Sequence, residues 1–258
     1  MLMVLLGIMV GTAGTLIGVG GGFILIPILL MLFPSADNLW ISSVSMWVVS
    51  CNATSGSIAY LRKGKVHLRA ACAFILASLP GSVLGIWIGD HVNRVLFEFV
   101  FSIAMIAYAS LLLLRKWKPE PSGGLHANSP LSKRQYVTGC LISLFVGFIA
   151  SFFGIGGGVV HVPLLSQVLG FPVHLATGTS HFILAVTAWF TTAVHFWKGD
   201  ISLRDPILWQ LGGGAIVGAQ LGARLSPYVA SKTILRFLAV ALMLVGLRIL
   251  FKTAPEVF

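Results

Sequence analysis

Eight long apolar segments run through this sequence, most of them close to the roughly 20 residues that a membrane-spanning helix needs. They cover residues 2–33, 40–61, 70–89, 95–114, 135–169, 174–197, 206–223 and 233–251. Backbone polar groups must pair internally in the hydrocarbon core, so apolar runs of this length predict helices. Only 9% of the residues are charged, against about 25% in soluble domains. We therefore predict an all-α, polytopic membrane protein.

The charged residues are strongly unbalanced, with 17 Lys and Arg against 7 Asp and Glu and a formal net charge of +10. In a soluble chain this excess would suggest nucleic-acid binding. Here the basic residues cluster at the ends of the apolar blocks, as topology determinants and lipid-headgroup anchors do. We therefore expect the lipid bilayer, and no nucleic acid, as a partner.

Neither the cysteines nor the N-terminus changes this interpretation. Cys51, Cys72 and Cys140 are widely spaced within apolar blocks and form no metal motif and no disulfide framework. The chain begins Met1-Leu2-Met3-Val4, without the basic region of a signal peptide. Because the first block also recurs in the middle of the chain, we interpret it as part of the mature fold.

A polar stretch at 115–134 divides the sequence into two similar halves. Its Pro, Gly and basic residues predict a cytoplasmic linker, with a first transmembrane repeat at 1–114 and a second at 135–258. Three motifs recur in the same order at offsets of 136, 135 and 133: Gly18–Gly22 with Pro27 and Gly154–Gly158 with Pro163; Lys63-Gly64 and Lys198-Gly199; Gly81, Gly85, Gly89 and Gly214, Gly218, Gly222. This order predicts an internal duplication.

The first block of each half is too long for one crossing. A helix over the 32 residues of 2–33 would reach about 48 Å, against about 30 Å of hydrocarbon. Three adjacent glycines near the middle of each block weaken a helix, so we predict breaks there and eight to ten helices in total.

The breaks leave the orientation of the repeats open. One interrupted crossing per block gives eight spans and parallel repeats, whereas a second crossing or a re-entrant hairpin inverts the second half. Eight spans place 13 basic residues inside and 4 outside, and ten spans place 12 and 5. The positive-inside rule therefore does not separate the two topologies. In both, the loop at 62–69 and the linker are cytoplasmic.

The glycine motifs differ in what they predict. Gly81-x3-Gly85-x3-Gly89 and its counterpart are typical of close helix packing. The triple glycines interrupt a helix instead, and interrupted helices at matching positions of two halves indicate a transporter's central site. A broken helix exposes free N–H groups at a positively polarised end, which can bind an anion.

Polar residues follow each glycine motif in the next apolar block. Ser43, Ser45 and Asn52 lie in the first half, and Thr177, Thr179 and Ser180 in the second. Such residues often only connect helices by hydrogen bonds. As a group beside a broken helix they can also line a polar cavity, and both interpretations remain open.

The ionisable residues favour an anion over a cation. No carboxylate falls in the middle of an apolar block, where a cation transporter would usually place one. His161, His181 and His195 lie in second-half blocks, where they can be neutral hydrogen-bonding groups or carry a proton. A metal-ion permease using these histidines is the alternative function, although scattered histidines without a carboxylate or thiolate make a poor site.

An intramembrane hydrolase built on Ser180 is a third hypothesis. Adjacent helical residues point about 100° apart, so Ser180 and His181 do not pair easily, and His195 lies near the other end of the block. The sequence also lacks a Gly-x-Ser-x-Gly elbow. We expect no enzyme and no cofactor.

The chain resembles the sulfite exporter TauE/SafE family of membrane permeases over almost its whole length. The resemblance rests on the two Gly-x-Gly-Gly-Gly-x4-Pro motifs, on Ala176–Ser180 and on Phe196–Ile201. In the first half, Ile41–Ser45 is a degenerate version of the Ala176–Ser180 segment, and Lys65 replaces the acidic loop residue. The resemblance implies transport of sulfite, sulfoacetate or a related organosulfonate across the bacterial inner membrane.

Together these features predict a secondary transporter of a small sulfur-containing anion, with a site near the bilayer midplane between the two repeats. The protein could also form a homodimer. We expect no metal site. The predicted substrate-binding residues are Gly20, Gly21, Gly22, Ser43, Ser45, Asn52, Gly156, Gly157, Gly158, His161, Thr177, Thr179, Ser180 and His181.

Overall fold

The structure is a computed structural model that describes residues 1–18, 20–114, 126–127, 129–225 and 231–257. These residues form ten α-helices and no strand: α1 Leu2–Ile17, α2 Gly22–Leu32, α3 Asn38–Arg62, α4 Leu68–Gly89, α5 Arg94–Leu114, α6 Lys133–Phe153, α7 Gly158–Gln167, α8 Val173–Lys198, α9 Pro206–Leu225 and α10 Ser231–Val257. The all-α prediction is confirmed. Each long first block contains two helices, as the glycines predicted.

The predicted linker is only partly described, since residues 115–125 and 128 lie outside the described part of the chain. Helix α6 begins at Lys133, two residues before the predicted boundary, because Ser132 and Gln135 form a capping box at its start. By length and composition, Leu68–Gly89, Arg94–Leu111 and Lys133–Phe153 could each cross a membrane.

Small residues bring α1 against α9 and α4 against α6. A methyl group added at Gly11 would come within 2.6 Å of the Ala215 carbonyl oxygen, and one at Gly222 within 2.6 Å of the Thr12 oxygen. Gly81 and Gly85 meet the α6 backbone equally closely, whereas the nearest atom to such a methyl at Gly89 is 3.9 Å away. The packing role predicted for the spaced glycines is therefore confirmed, although the contact at Gly89 is less close than at the others.

The centre of the molecule is the antiparallel pair α3 and α8. Ser50 Oγ lies 3.0 Å from Thr192 Oγ1, and Trp189 Nε1 donates to Thr54 Oγ1 at 2.8 Å. Further along α3 the partner residues on α8 have lower numbers, so the two helices run in opposite directions. Because both helices carry buried hydroxyls, polar groups meet along this seam instead of facing lipid.

Helices α5 and α10 also form an antiparallel pair. Lys252 Nζ lies 3.6 Å from Glu98 Oε2, and Gly246 approaches Ser102, further along α5. Glu98 is 4% exposed and accepts a 2.5 Å hydrogen bond from Arg94 Nε. Arg94 also donates to the Ala36 carbonyl, which fixes the start of α5 to the loop between α2 and α3.

Consecutive helices alternate in direction. Helices α1, α3 and α9 run in the same direction. In their N-terminal halves, Gly7 of α1 contacts Leu211 of α9 and Trp47 of α3 donates to Leu208 O of α9. At the other end, Lys63 after α3 donates to Ala223 O near the end of α9. Helices α4 and α6 are parallel to each other, and α8 opposes α3. The ends of α3 and α5 and the start of α6 therefore share one side of the molecule, as both the eight-span and the ten-span topologies expected.

Candidate substrate site

Two glycine loops reverse the chain inside the bundle. Gly18 ends α1 with φ 84°, and Gly154 ends α6 with φ 70°. Gly20 and Gly156 also have positive φ, at 79° and 63°, a conformation that other residues adopt only with strain. The Gly20 N–H donates back to the Gly14 carbonyl at 3.2 Å, so the chain folds onto the helix that it has just left.

The two loops meet at one place between α3 and α8. A methyl group added at Gly20 would lie 2.5 Å from Leu184 Cδ2 and 3.3 Å from Val49 Cγ1. One added at Gly156 would lie 2.6 Å from Val49 Cγ1 and 2.9 Å from Leu184 Cδ1. The side chains of Val49 and Leu184 therefore lie against both loops. A methyl group added at Gly22 would come 2.7 Å from the Ile155 carbonyl oxygen of the other loop. The loops are in direct contact.

The short helices α2 and α7 both begin at this meeting point. The first turn of any helix has N–H groups without intrahelical acceptors, and its end carries a partial positive charge. Two such ends therefore face the same central region, and the atoms nearest to Gly18, Gly20, Gly154 and Gly156 in the described part of the chain belong to no basic side chain. The arrangement can stabilise negative charge through backbone groups alone.

Three of the predicted first-half residues hold backbone instead of facing an open space. Asn52 Nδ2 donates to the carbonyls of Gly11 and Gly20, both at 3.2 Å, and its Oδ1 accepts from Thr15 at 2.6 Å. Ser45 donates to the Gly154 carbonyl at 2.7 Å, and Ser43 donates to Leu39 within α3. Asn52 and Ser45 therefore each support one glycine loop.

The second-half residues are less fully paired. Thr177 packs against Gly18, Thr179 Oγ1 accepts from the His67 N–H at 3.0 Å, and His161 Nε2 lies 2.9 Å from Ser143 Oγ. Ser180 Oγ and His181 Nε2 are buried without a hydrogen-bond partner among the described residues.

His181 occupies the linker side of the glycine loops. Its ring lies over Gly56, where a methyl group would come 2.6 Å from Cδ2, and 5.5 Å from the Tyr60 ring. Neither of its ring nitrogens has a hydrogen-bond partner among the described residues. Within the described residues Ser180 Oγ forms no hydrogen bond, so it is not paired with His181 or His195 as the hydrolase hypothesis would require.

Several polar residues that the sequence did not single out connect the elements around the site. Ser151 Oγ lies 2.9 Å from Thr191 Oγ1, and Ser143 and Thr15 hold His161 and Asn52 as described above. No local pattern marks these residues, because single hydroxyls in apolar helices are common. Within the described residues no group of three His, Cys, Asp or Glu could hold a metal ion, so the metal-permease alternative finds no ligand cluster there.

The fold and this site define a multi-pass helical membrane protein with paired interrupted helices, an architecture that transporters use. The model of the sulfite exporter TauE/SafE family matches residues 3–249, and the chain belongs to that family. This confirms the resemblance that the glycine motifs carry.

Named relatives agree with a transport role. The chain is 29% identical to a probable membrane transporter protein, YunE of Bacillus subtilis, over 97% of each chain. It is 30% identical to a probable membrane transporter protein of Xylella fastidiosa strain 9a5c, over 88% of this chain and 83% of the relative. A probable membrane transporter protein of Haemophilus influenzae is 27% identical over 71% and 69%. No solved structure matches. The protein is a membrane transporter.

Proposed function

We propose that this protein is a secondary transporter for a small sulfur-containing anion, such as sulfite, sulfoacetate or a related organosulfonate. The observation that carries the proposal is the meeting of two helix N-termini, α2 and α7, at two glycine loops in the centre of the bundle. Backbone N–H groups at such ends bind the oxygens of compact anions. The family's description as sulfite exporters supports a sulfur oxyanion as the substrate class.

The distribution of charge supports an anion. The carboxylates whose side chains are described all lie at or near helix ends or in loops: Asp37, Asp90, Glu98, Asp200 and Asp205. None of them is near Val49 or Leu184, so a cation at the centre would meet two positively polarised helix ends and no compensating charge. An anion there would meet favourable electrostatics.

Unpaired groups on α8 suggest how the second half contributes. Ser180 Oγ and His181 Nε2 have no hydrogen-bond partner within the described residues, and a buried polar group without a partner is unfavourable by about 1–3 kcal/mol. A substrate oxygen could accept hydrogen bonds from both. The side chains of Ser45 and Asn52 already donate to loop carbonyls, so the proposed site draws its side-chain contacts mainly from the second half.

We further propose that the duplication is an inverted repeat. Under the offsets found in the sequence, α3 corresponds to α8 and α5 to α10, and both pairs run antiparallel. The contact of Gly18 with Thr177 then corresponds to that of Gly154 with Ser42. A two-fold axis in the membrane plane relates elements in this way, and it would pass between the glycine loops.

Val49 and Leu184 fill the centre, so access must require movement. Both side chains are fully or almost fully buried and pack with Met46, Ala53 and Ala188. We propose that this conformation is closed to both sides, in a bacterial inner membrane with the linker side cytoplasmic, as the basic residues favour. Rocking of one half against the other would expose the loops alternately.

Purified protein in liposomes tests the proposal. Uptake of labelled sulfite, sulfoacetate and an alkanesulfonate would be compared with uptake of Zn²⁺ and Ni²⁺ under matched gradients. We expect saturable flux of at least one sulfur anion and none of the metals. Metal flux without sulfur-anion flux would refute the proposal in favour of a metal permease.

A glycine variant locates the site. Gly22→Ala places a methyl group 2.7 Å from Ile155 O and 2.8 Å from Val49 Cγ2, whereas at Gly213 in α9 the methyl meets nothing within 4 Å. We expect Gly22→Ala to reduce anion flux strongly and Gly213→Ala to leave it unchanged. Equal flux in both variants would remove the glycine loops from the pathway.

A further inference from the structure

A second polar cluster lies near the end of α8, beyond the residues that contact Gly20 and Gly156. His195 is 1% exposed, and its Nδ1 lies 2.7 Å from Asp200 Oδ2. Its Nε2 is buried without a hydrogen-bond partner in the described residues, and so is Asn38 Oδ1. Both residues line one small cavity, so two unpaired polar atoms border the same space.

The cavity has the size of a water molecule. Its volume is about 10 Å³, close to the smallest that holds one water. With His195 neutral and Nδ1–H donating to Asp200, a water there can donate to both Nε2 and Asn38 Oδ1. With His195 protonated, the same water can accept from Nε2–H and still donate to Asn38. Both protonation states are therefore satisfied by one water.

The charged groups around His195 lie on its exposed side. Lys198 Nζ lies 3.5 Å from Asp200 Oδ2 and also pairs with Asp90 at the end of α4. The Asp200 side chain is 12% exposed, so the carboxylate that pairs with His195 contacts water. The other elements present neutral groups to the cavity: Asn38, Leu39, Ser42, Ile86, Gly89, Phe97, Ser151 and Phe152.

Residues in the wall of the cavity contact the second glycine loop. Ser42, in its wall, contacts Gly154, where a methyl group would lie 2.7 Å from Ser42 Cα. Ser151 and Phe152, also in the wall, form the last turn of α6, which ends at that loop. The cavity wall therefore includes the helix end that positions Gly154 and Gly156.

We propose that His195, paired with Asp200, is the proton-binding site of this transporter, and that one proton moves together with each monovalent anion. Nε2 takes up a proton from a hydronium ion at the cavity, which leaves a water molecule there, while Nδ1–H stays bonded to Asp200, whose carboxylate stabilises the imidazolium. The added positive charge beside the anion pathway favours anion occupancy, so proton and anion travel in the same direction. The inference rests on the proposed anion transport.

An alkanesulfonate is the suitable probe, because its charge does not change near neutral pH, whereas sulfite itself titrates there. In liposomes, symport of one proton with one anion supports about tenfold accumulation for each pH unit across the membrane. We expect wild-type protein to reach this ratio, and an internal pH dye to report proton entry with the sulfonate. We expect His195→Gln to equilibrate the sulfonate without accumulation, and Asp200→Asn to accumulate it several-fold less than wild type.

His174→Gln is the matched control, since His174 is exposed at the other end of α8, and it should behave as wild type. Full pH-driven accumulation by His195→Gln would overturn the proposal. So would sulfonate flux through wild-type protein without proton movement, a measurement that needs no variant to fold. Absence of any sulfur-anion flux through wild type would instead refute the proposed function itself.

Discussion

Asn52 offers the sharpest test of how the first glycine loop is held. Its amide connects α1, the loop and α3 through three hydrogen bonds: to Gly11 O, to Gly20 O and from Thr15 Oγ1. Asn52→Ala removes all three. Interhelical hydrogen bonds in membrane proteins average about 0.6 kcal/mol each, so the direct loss is about 2 kcal/mol.

The partners left behind differ in what they lose. Gly11 O lies within α1 and keeps its helical bond, and Thr15 can donate to a carbonyl one turn earlier. Gly20 O lies in the loop, so it alone loses support. We therefore expect the free energy of unfolding to fall by about 2 kcal/mol, roughly a 30-fold change in the unfolding equilibrium.

The matched control is Thr187→Ala on α8, at the position that corresponds to Asn52. Its hydroxyl donates only within its own helix, to Ile183 O at 3.1 Å and Leu184 O at 3.4 Å. Reversible unfolding in mixed micelles would measure both variants. Equal losses of stability, or a loss below about 0.5 kcal/mol for Asn52→Ala, would refute this account of the loop.

Three further outcomes follow from particular contacts. Ser180→Ala removes a hydroxyl that has no partner among the described residues, so the melting temperature should stay the same. The KM for the anion should rise about tenfold or more, because a hydrogen bond to a charged group contributes about 1.5–3 kcal/mol. An unchanged KM would show that Ser180 is not part of the site. Glu98→Gln keeps an oxygen acceptor for Arg94 but removes the buried carboxylate charge that pairs with it, and chemical unfolding should show a loss of about 3 kcal/mol, against almost none for the loop variant Asp205→Asn. Gly81→Ala forces a methyl into the α6 backbone, whereas Gly89→Ala has 3.9 Å of room; thermal melts should show the first variant clearly less stable, and equal melts would contradict the packing role.

The helices and their breaks were predictable because their causes are local. Apolar length sets the spans, and consecutive glycines interrupt a helix wherever it lies. The structure accordingly begins α2 and α7 at Gly22 and Gly158, and it ends α1 and α6 at left-handed Gly18 and Gly154. Packing of Gly214 and Gly218 followed from their four-residue spacing for the same reason.

The pairing of helices was not predictable from local sequence. Helices α1 and α4 of the first half pack against α9 and α6 of the second half, so these contacts join the two halves. Counting basic residues left parallel and inverted repeats open. The direction of α8 relative to α3 becomes visible only from contacts 142 and 135 residues apart, such as Ser50 with Thr192 and Thr54 with Trp189.

The roles of individual polar residues also depended on the fold. Ser45 and Ser180 occupy corresponding positions, yet Ser45 donates to Gly154 O whereas Ser180 Oγ has no partner in the part of the chain that the structure describes. A hydroxyl in an apolar helix supports backbone or faces a ligand according to which carbonyl comes near it, and sequence does not give that distance. His195 was recognised as ionisable, but Asn38, the other unpaired group of its cavity, carried no signal.

The central claim is that the anion binds where the glycine loops meet. Its most direct test is a structure of the protein with 2-bromoethanesulfonate, in which the anomalous signal of bromine locates the ligand. We predict sulfonate oxygens against the first N–H groups of α2 or α7, with Val49 and Leu184 displaced. A ligand bound elsewhere, with these two side chains still packed between Gly20 and Gly156, would contradict the claim.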